Sequence, residues 1–168
     1  MGKSHHIEWD EKATAGANAR RELPPLMARY FALVRELLAR NPTPPELHRL
    51  RLATKRLRYT LELFQSCYGP GLEIRMAGLR ELQQLLGEVN DNAAAGRLLA
   101  KAMRGSRQRA RVATFLENRA AEKAQEFRKH WDEVFDAAGR EQWWTGYLER
   151  RARRATRQKG QPQDVHQS

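Results

Sequence analysis

The sequence predicts an all-α protein, an antiparallel up-and-down four-helix bundle with a short extra helix at its C-terminal end. Three observations carry this. Leucine outnumbers isoleucine plus valine 20 to 7, beside 23 alanines; Leu and Ala favour helices, whereas strands favour β-branched side chains. Apolar residues recur at steps of 3 and 4 over long windows, the period of a helix with one buried face. Four such stretches are joined by short Pro- or Gly-containing links, which makes neighbours antiparallel.

The first helix is expected from about Asp10 to Arg40, with Met27, Tyr30, Phe31, Val34, Leu37 and Leu38 at core spacing. Pro24 and Pro25 remove backbone donors inside it, which predicts a kink there in preference to a restart at Pro24. Asn41–Glu46 reads as a turn and a helix start, Thr43 and Glu46 having capping-box spacing. The second helix then runs to about Tyr68 along the seam Leu47, Leu50, Thr54, Leu57, Leu61, Phe64 and Tyr68, and Gly69-Pro70-Gly71 ends it. The third is expected from near Leu72 to near Met103, on Leu72, Met76, Leu79, Leu82, Leu86, Val89 and Ala93, with an irregularity at Asn90-Asp91-Asn92. Gly78 and Gly87 weaken it locally and suggest close approach of neighbours. Residues 107–137 read as a fourth helix carrying Val112, Phe115, Leu116, Phe127, Trp131, Val134 and Phe135, and 141–157 as a short fifth with Trp143, Trp144, Tyr147 and Leu148. Residues 1–9 read as a loose lead, 10–157 as a single bundle and 158–168 as a disordered polar tail.

The net charge of +11 and a pI of about 10.5 favour polyanionic partners. No apolar run approaches the length that spans a bilayer, and Met1–Trp9 lacks the apolar stretch of a secretory signal. The lone Cys67 makes neither an internal disulfide nor a Cys-rich metal site. These features predict a cytoplasmic protein that does not act at a membrane.

The most informative segment is His48–Tyr59. His48, Arg51, Lys55 and Arg58 are spaced 3, 4 and 3 apart and share one row along a helix. Five formal positive charges lie between Arg49 and Arg58 with no acid among them, and like charges on successive turns repel. The row is rotated by one residue from the leucine seam, so it flanks the core, where long Arg and Lys stems cover apolar surface while their heads converge. It spans about 15 Å of axis, enough to follow several consecutive phosphates. Arginine meets phosphate with two parallel N–H bonds and lysine with a compact charge. Spacing alone is equally compatible with a solvated face whose charges pair with acids on neighbouring helices.

His-x-x-Arg-x-x-x-Lys-Arg-x-Arg-Tyr at 48–59, followed by Leu-Glu-Leu-Phe at 61–64, resembles the CHAD family of α-helical domains. Leu82–Asp91 is similar to that family's Leu-Gln-x-x-Leu-Gly-x-x-x-Asp segment, in the right order and separation. A looser resemblance runs from about Arg20 to Trp144. It implies a basic helical bundle that binds inorganic polyphosphate without catalysis and often sits near polyphosphate enzymes or granules. Carried over by position, His48, Arg51, Lys55, Arg56 and Arg58 are the anion-binding residues, with Tyr59 matching in a less defined role. The usual family domain has two similar halves around a basic channel. This chain has the length of about one half, most like the second, which predicts a homodimer.

Other residues invite plainer readings. His48 and His130 lack the spacing of a metal-binding helix, so neither metal nor cofactor is expected. His130 reads as a surface or core-edge residue, Cys67 as a small buried one, and the tryptophans at 131, 143 and 144 as packing at one bundle end. Asp91 reads as a cap, a partner for a cation or a polar residue at a helix irregularity. The basic stretches Lys101–Arg111 and Arg150–Lys159 suit non-specific capture of any polyanion. Charge alone also admits a nucleic-acid binder, although no helix-turn-helix, RNA-recognition or zinc-finger pattern is present. His48 with Arg51 also superficially suits histidine phosphotransfer.

Overall fold

A computed structural model describes residues 7–102 and 107–158, with backbone only at 108, 109 and 151–158. The described residues form helices without strands: α1 (Ala15–Leu38), α2 (Pro44–Leu63), α3 (Gln65–Tyr68), α4 (Pro70–Ala102), α5 (Arg107–His130), a π-helical turn (Trp131–Phe135) and α6 (Arg140–Gln158).

The first helix starts later than its periodicity suggests. Thr14 caps it by accepting from the Ala17 N–H at 3.2 Å. Asn18, fully buried, holds the preceding turn, its side-chain amide donating to Asp10 O at 2.9 Å and Thr14 O at 3.2 Å. The helix continues through Pro24 and Pro25 without a restart. At its far end Arg128 donates to Leu38 O at 2.6 Å, satisfying one of the last carbonyls.

Thr43 and Glu46 open α2 as their spacing suggests, with the Thr43 N–H and hydroxyl both donating to Glu46 Oε2, at 2.8 and 2.9 Å. Those bonds, joined by Arg40, lower the Glu46 carboxyl to about 2. The expected run to Tyr68 is interrupted. Phe64 leaves helical geometry at φ −98°, ψ 9°, and the short α3 follows. Gly69, at φ +70°, turns the chain into α4 in a conformation that glycine adopts without strain. Phe64 and Tyr68 stay buried despite the break.

No irregularity occurs at Asn90-Asp91-Asn92. The Asn90 and Asn92 amides donate back to Leu86 O and Glu88 O, both at 2.7 Å, and the helix is unbroken. Asp91 therefore caps nothing; it is exposed in mid-helix.

The fourth expected helix ends as α5 at His130 and widens into the π turn, where the Asp136 N–H reaches Trp131 O, five residues back, at 2.7 Å. Phe127, Trp131 and Phe135 are core, but Val112, Phe115 and Val134 are 48%, 62% and 45% exposed, contrary to their expected burial. The first two lie where α4 and α5 extend past the start of α2 and have mainly each other to pack against. The last helix is no mere appendage. It runs antiparallel along α1, from Glu141 beside Arg35 to Glu149 beside Arg20 and Arg21.

Leucines from α1, α2 and α4 meet the aromatic group Phe31, Trp131, Phe135 and Trp144 in one core. Trp131 stacks on Phe135 at 5.1 Å, while Trp143 is only half-buried, with the Arg75 guanidinium 3.6 Å from its ring centre. Among the described residues no helix is long and apolar enough to cross a membrane. The described part of the lead is docked, Trp9 lying against Phe64 at 6.2 Å and Ile7 against the core.

Candidate functional site

The seam of α2 (Leu47, Leu50, Thr54, Leu57 and Leu61) is buried. Thr54 anchors it. Its hydroxyl donates to Leu50 O at 2.9 Å and therefore accepts from Tyr30 Oη at 2.8 Å. Two rows flank the seam. Ala53, Arg56 and Thr60, each one position before a seam residue, line a cavity of about 310 Å³ against α1, shared with Glu22, Arg29 and Tyr30. His48, Arg51, Lys55 and Arg58, each one position after, lie toward α4.

The α4 side of that groove is uncharged along the row. α2 and α4 run antiparallel, so His48 stands by Asn90, Arg51 by Gly87 and Arg58 by Gln83. His48 Nδ1 is 3.0 Å from Asn90 Oδ1. Arg51 Nε lies 3.8 Å from where a side chain on Gly87 would begin, and this buried nitrogen has no hydrogen-bond partner among the described residues. Arg58 Nε donates to Gln83 Oε1 at 2.8 Å. Gln83, Gly87 and Asn90 are themselves spaced 4 and 3 apart, so one helical row faces another.

Among the described residues, Arg58 is the one cation of the row with an acid beside it. Arg58 pairs with Glu62, one turn on in the same helix, and Arg80 stands 3.9 Å from that same carboxylate. Among the described residues no carboxylate lies within 4.0 Å of the charged groups of Arg51 or Lys55. Tyr59 is half-exposed, with Lys55 Nζ 5.4 Å and Arg58 Cζ 4.3 Å from its ring centre. An aromatic face so placed holds two like charges near each other by cation–π attraction.

The arrangement brings His48, Arg51, Lys55, Arg58 and Tyr59 together and separates Arg56 from them. Position along a motif carried Arg56 into the anion-binding set, but a step of one residue turns the side chain by about 100°. Sequence reading assigned no role to Gln83 or Asn90. Both lie within the second quoted segment, and the step of 83, 87 and 90 was the available signal. His130 lies at the core edge, its Nδ1 3.5 Å from Glu81, and Cys67 is partly buried against the core. Both basic stretches noted above fall largely outside the residues whose side chains are described.

The model of the CHAD domain family matches residues 4–100, more than half of the chain. The chain belongs to the CHAD family. The match takes in α1, α2, α3 and nearly all of α4, and so both walls of the CHAD groove; α5 and α6 lie beyond it. No curated protein and no solved structure matches the chain.

Proposed function

We propose that the α2/α4 groove of this CHAD domain binds inorganic polyphosphate and holds it without chemical change. CHAD domains are a family associated with polyphosphate binding. The observation that supports the reading here is the uncharged wall. Arg51 faces Gly87, and among the described residues neither Arg51 nor Lys55 has a carboxylate within 4.0 Å, where an ordinary helix interface would set one. An extended phosphate chain replaces that missing countercharge along the row, and each neutralised phosphate releases condensed counterions. Lys55 and Arg58, spaced by Tyr59, contact neighbouring phosphates, and Arg51 enters from the α4 side. Arg56 and Arg29, in the separate groove with α1, add only to the general field.

The deciding experiment replaces Arg51, Lys55 and Arg58 together by Ala. A folded triple variant is expected to lose affinity for long-chain polyphosphate by about a hundredfold, with a shallower salt dependence, since three phosphate contacts are gone. Unchanged affinity would remove the groove as the site. Excess DNA or RNA of matched charge should not displace polyphosphate; displacement would instead favour a nucleic-acid binder.

Two copies pairing to rebuild a two-sided channel is the assembly this reading favours, and a monomeric mass in light scattering with and without polyphosphate would refute it. The setting it favours is the cytoplasm, at polyphosphate granules. One observation supports a second reading. His48 is exposed, with one ring nitrogen held by Asn90 and the other open, which is what a phosphoryl carrier needs. Absence of acid-labile phosphate on His48 after incubation with a small acyl phosphate would dismiss it.

A further inference from the structure

We propose that Asn90 sets the tautomer of His48 and thereby makes it a proton-gated contact for phosphate. The inference rests on the polyphosphate reading of the α2/α4 groove.

Asn90 Nδ2 lies 2.7 Å from Leu86 O. A carbonyl oxygen only accepts, so the amide nitrogen is the atom that must face it. Asn90 Oδ1 is then the atom 3.0 Å from His48 Nδ1. That oxygen, too, only accepts, so Nδ1 carries the hydrogen and neutral His48 keeps a bare lone pair on Nε2. Facing an ionised phosphate oxygen, the lone pair repels, because neither group has a proton to share. Once Nε2 takes up a proton, the ring offers a donor and a charge together, the stronger class of hydrogen bond. Without Asn90 a neutral imidazole is free to move its hydrogen to Nε2 and donate to phosphate with no change of charge. Asn90 closes that route.

The charged residues nearest in register are Arg51, one turn further along α2, and exposed Asp91, next to Asn90 on α4. Leu47, the preceding residue, lines a different cavity, whose charged members are Arg97 of α4 with Glu117 and Arg128 of α5. α1 meets α2 on its far side, where it brings Glu22 and Arg29 beside Arg56.

The test uses the full chain and long-chain polyphosphate, whose interior phosphates stay ionised between about pH 5 and about pH 8, where imidazole side chains change charge. Long-range nitrogen–proton spectra of the ligand-free protein at about pH 8 read the tautomer directly. His48 is expected with hydrogen on Nδ1, the reverse of what imidazole side chains favour in water, and Asn90→Ala should restore the usual form. Affinity is expected to rise about tenfold from about pH 8 to about pH 5 in the wild type and at most about threefold in Asn90→Ala. Asn90→Asp keeps an accepting oxygen for Nδ1 and adds a charge that favours the imidazolium. It should preserve the tautomer and move the binding transition to higher pH, and it serves if Asn90→Ala does not fold. Hydrogen on Nε2 in the wild type, or an equal pH response in the wild type and Asn90→Ala, overturns the gate. Wrong tautomer with tight binding removes the gate alone, whereas the expected tautomer with no binding at any pH removes the polyphosphate reading and the gate with it.

Discussion

The two faces of α4 differ in a way that composition does not require. Toward α5 the helix presents acids. Glu88 lies 3.0 Å from Lys123, which also meets Glu126 at 2.7 Å, and Glu81 stands by His130. Toward α2 it presents Gln83, Gly87 and Asn90, opposite the row of His48, Arg51, Lys55 and Arg58. The α1/α6 contact follows the first pattern, with Arg35 engaging both Asp136 and Glu141. Those two carboxylates raise the Arg35 guanidinium further above its ordinary value. Acids are thus available to this fold and are used to neutralise interhelical cations elsewhere. Among the described residues no carboxylate lies within 4.0 Å of the charged groups of Arg51 or Lys55, and the proposed polyphosphate site rests on that contrast.

Adding an acid to the neutral wall is the sharpest way to break the contrast. Gln83→Glu sets a carboxylate where the amide oxygen now accepts from Arg58. Affinity for polyphosphate should fall about tenfold, with the fold unharmed, because the new charge competes with phosphate for the guanidinium. An unchanged titration by calorimetry would show that the wall's neutrality does not matter.

Gly87→Ala asks whether the wall must also be bare of side chains. A Cβ there meets Arg51 Nε at 3.8 Å, an ordinary contact, so the helix should gain up to about 1 kcal/mol in chemical denaturation with binding retained. A large loss of affinity would show that Arg51 needs the whole of that space.

The smallest effect belongs to the neutralised interface. Arg35 is half-exposed, and Arg35→Ala should lower stability by at most about 1 kcal/mol, since exposed ion pairs contribute little. Its polyphosphate affinity should stay within about twofold of wild type, given its distance from the row and the screening of exposed charges by salt. A loss comparable to that of the Arg51, Lys55 and Arg58 variant would erase the distinction between the two regions.

The helical class was legible because leucine and alanine dominate and the seams keep strict 3 and 4 steps. The cation row was legible for the same reason, since four residues on one helix share a face whatever surrounds them. What faces the row was not legible. It depends on which residue of α4 comes to lie beside which residue of α2, a register set by packing far from either segment. Arg56 shows the limit from the other side: adjacency in a motif says nothing of the 100° between successive side chains. Phe64 and Tyr68 kept their expected burial although the helix broke at Phe64, because burial follows the seam and continuity depends on local backbone geometry. Val112 and Phe115 carried a core-like pattern but had no third helix to cover them.

The missing partner on the α4 side has a thermodynamic consequence for the free molecule. Crowded ammonium and guanidinium groups raise the energy of the unoccupied native state, and any multivalent solute that settles among them lowers it again. On the polyphosphate reading, folded stability and occupancy are linked in one equilibrium, and the melting temperature should rise with the concentration of the phosphate polymer around the protein.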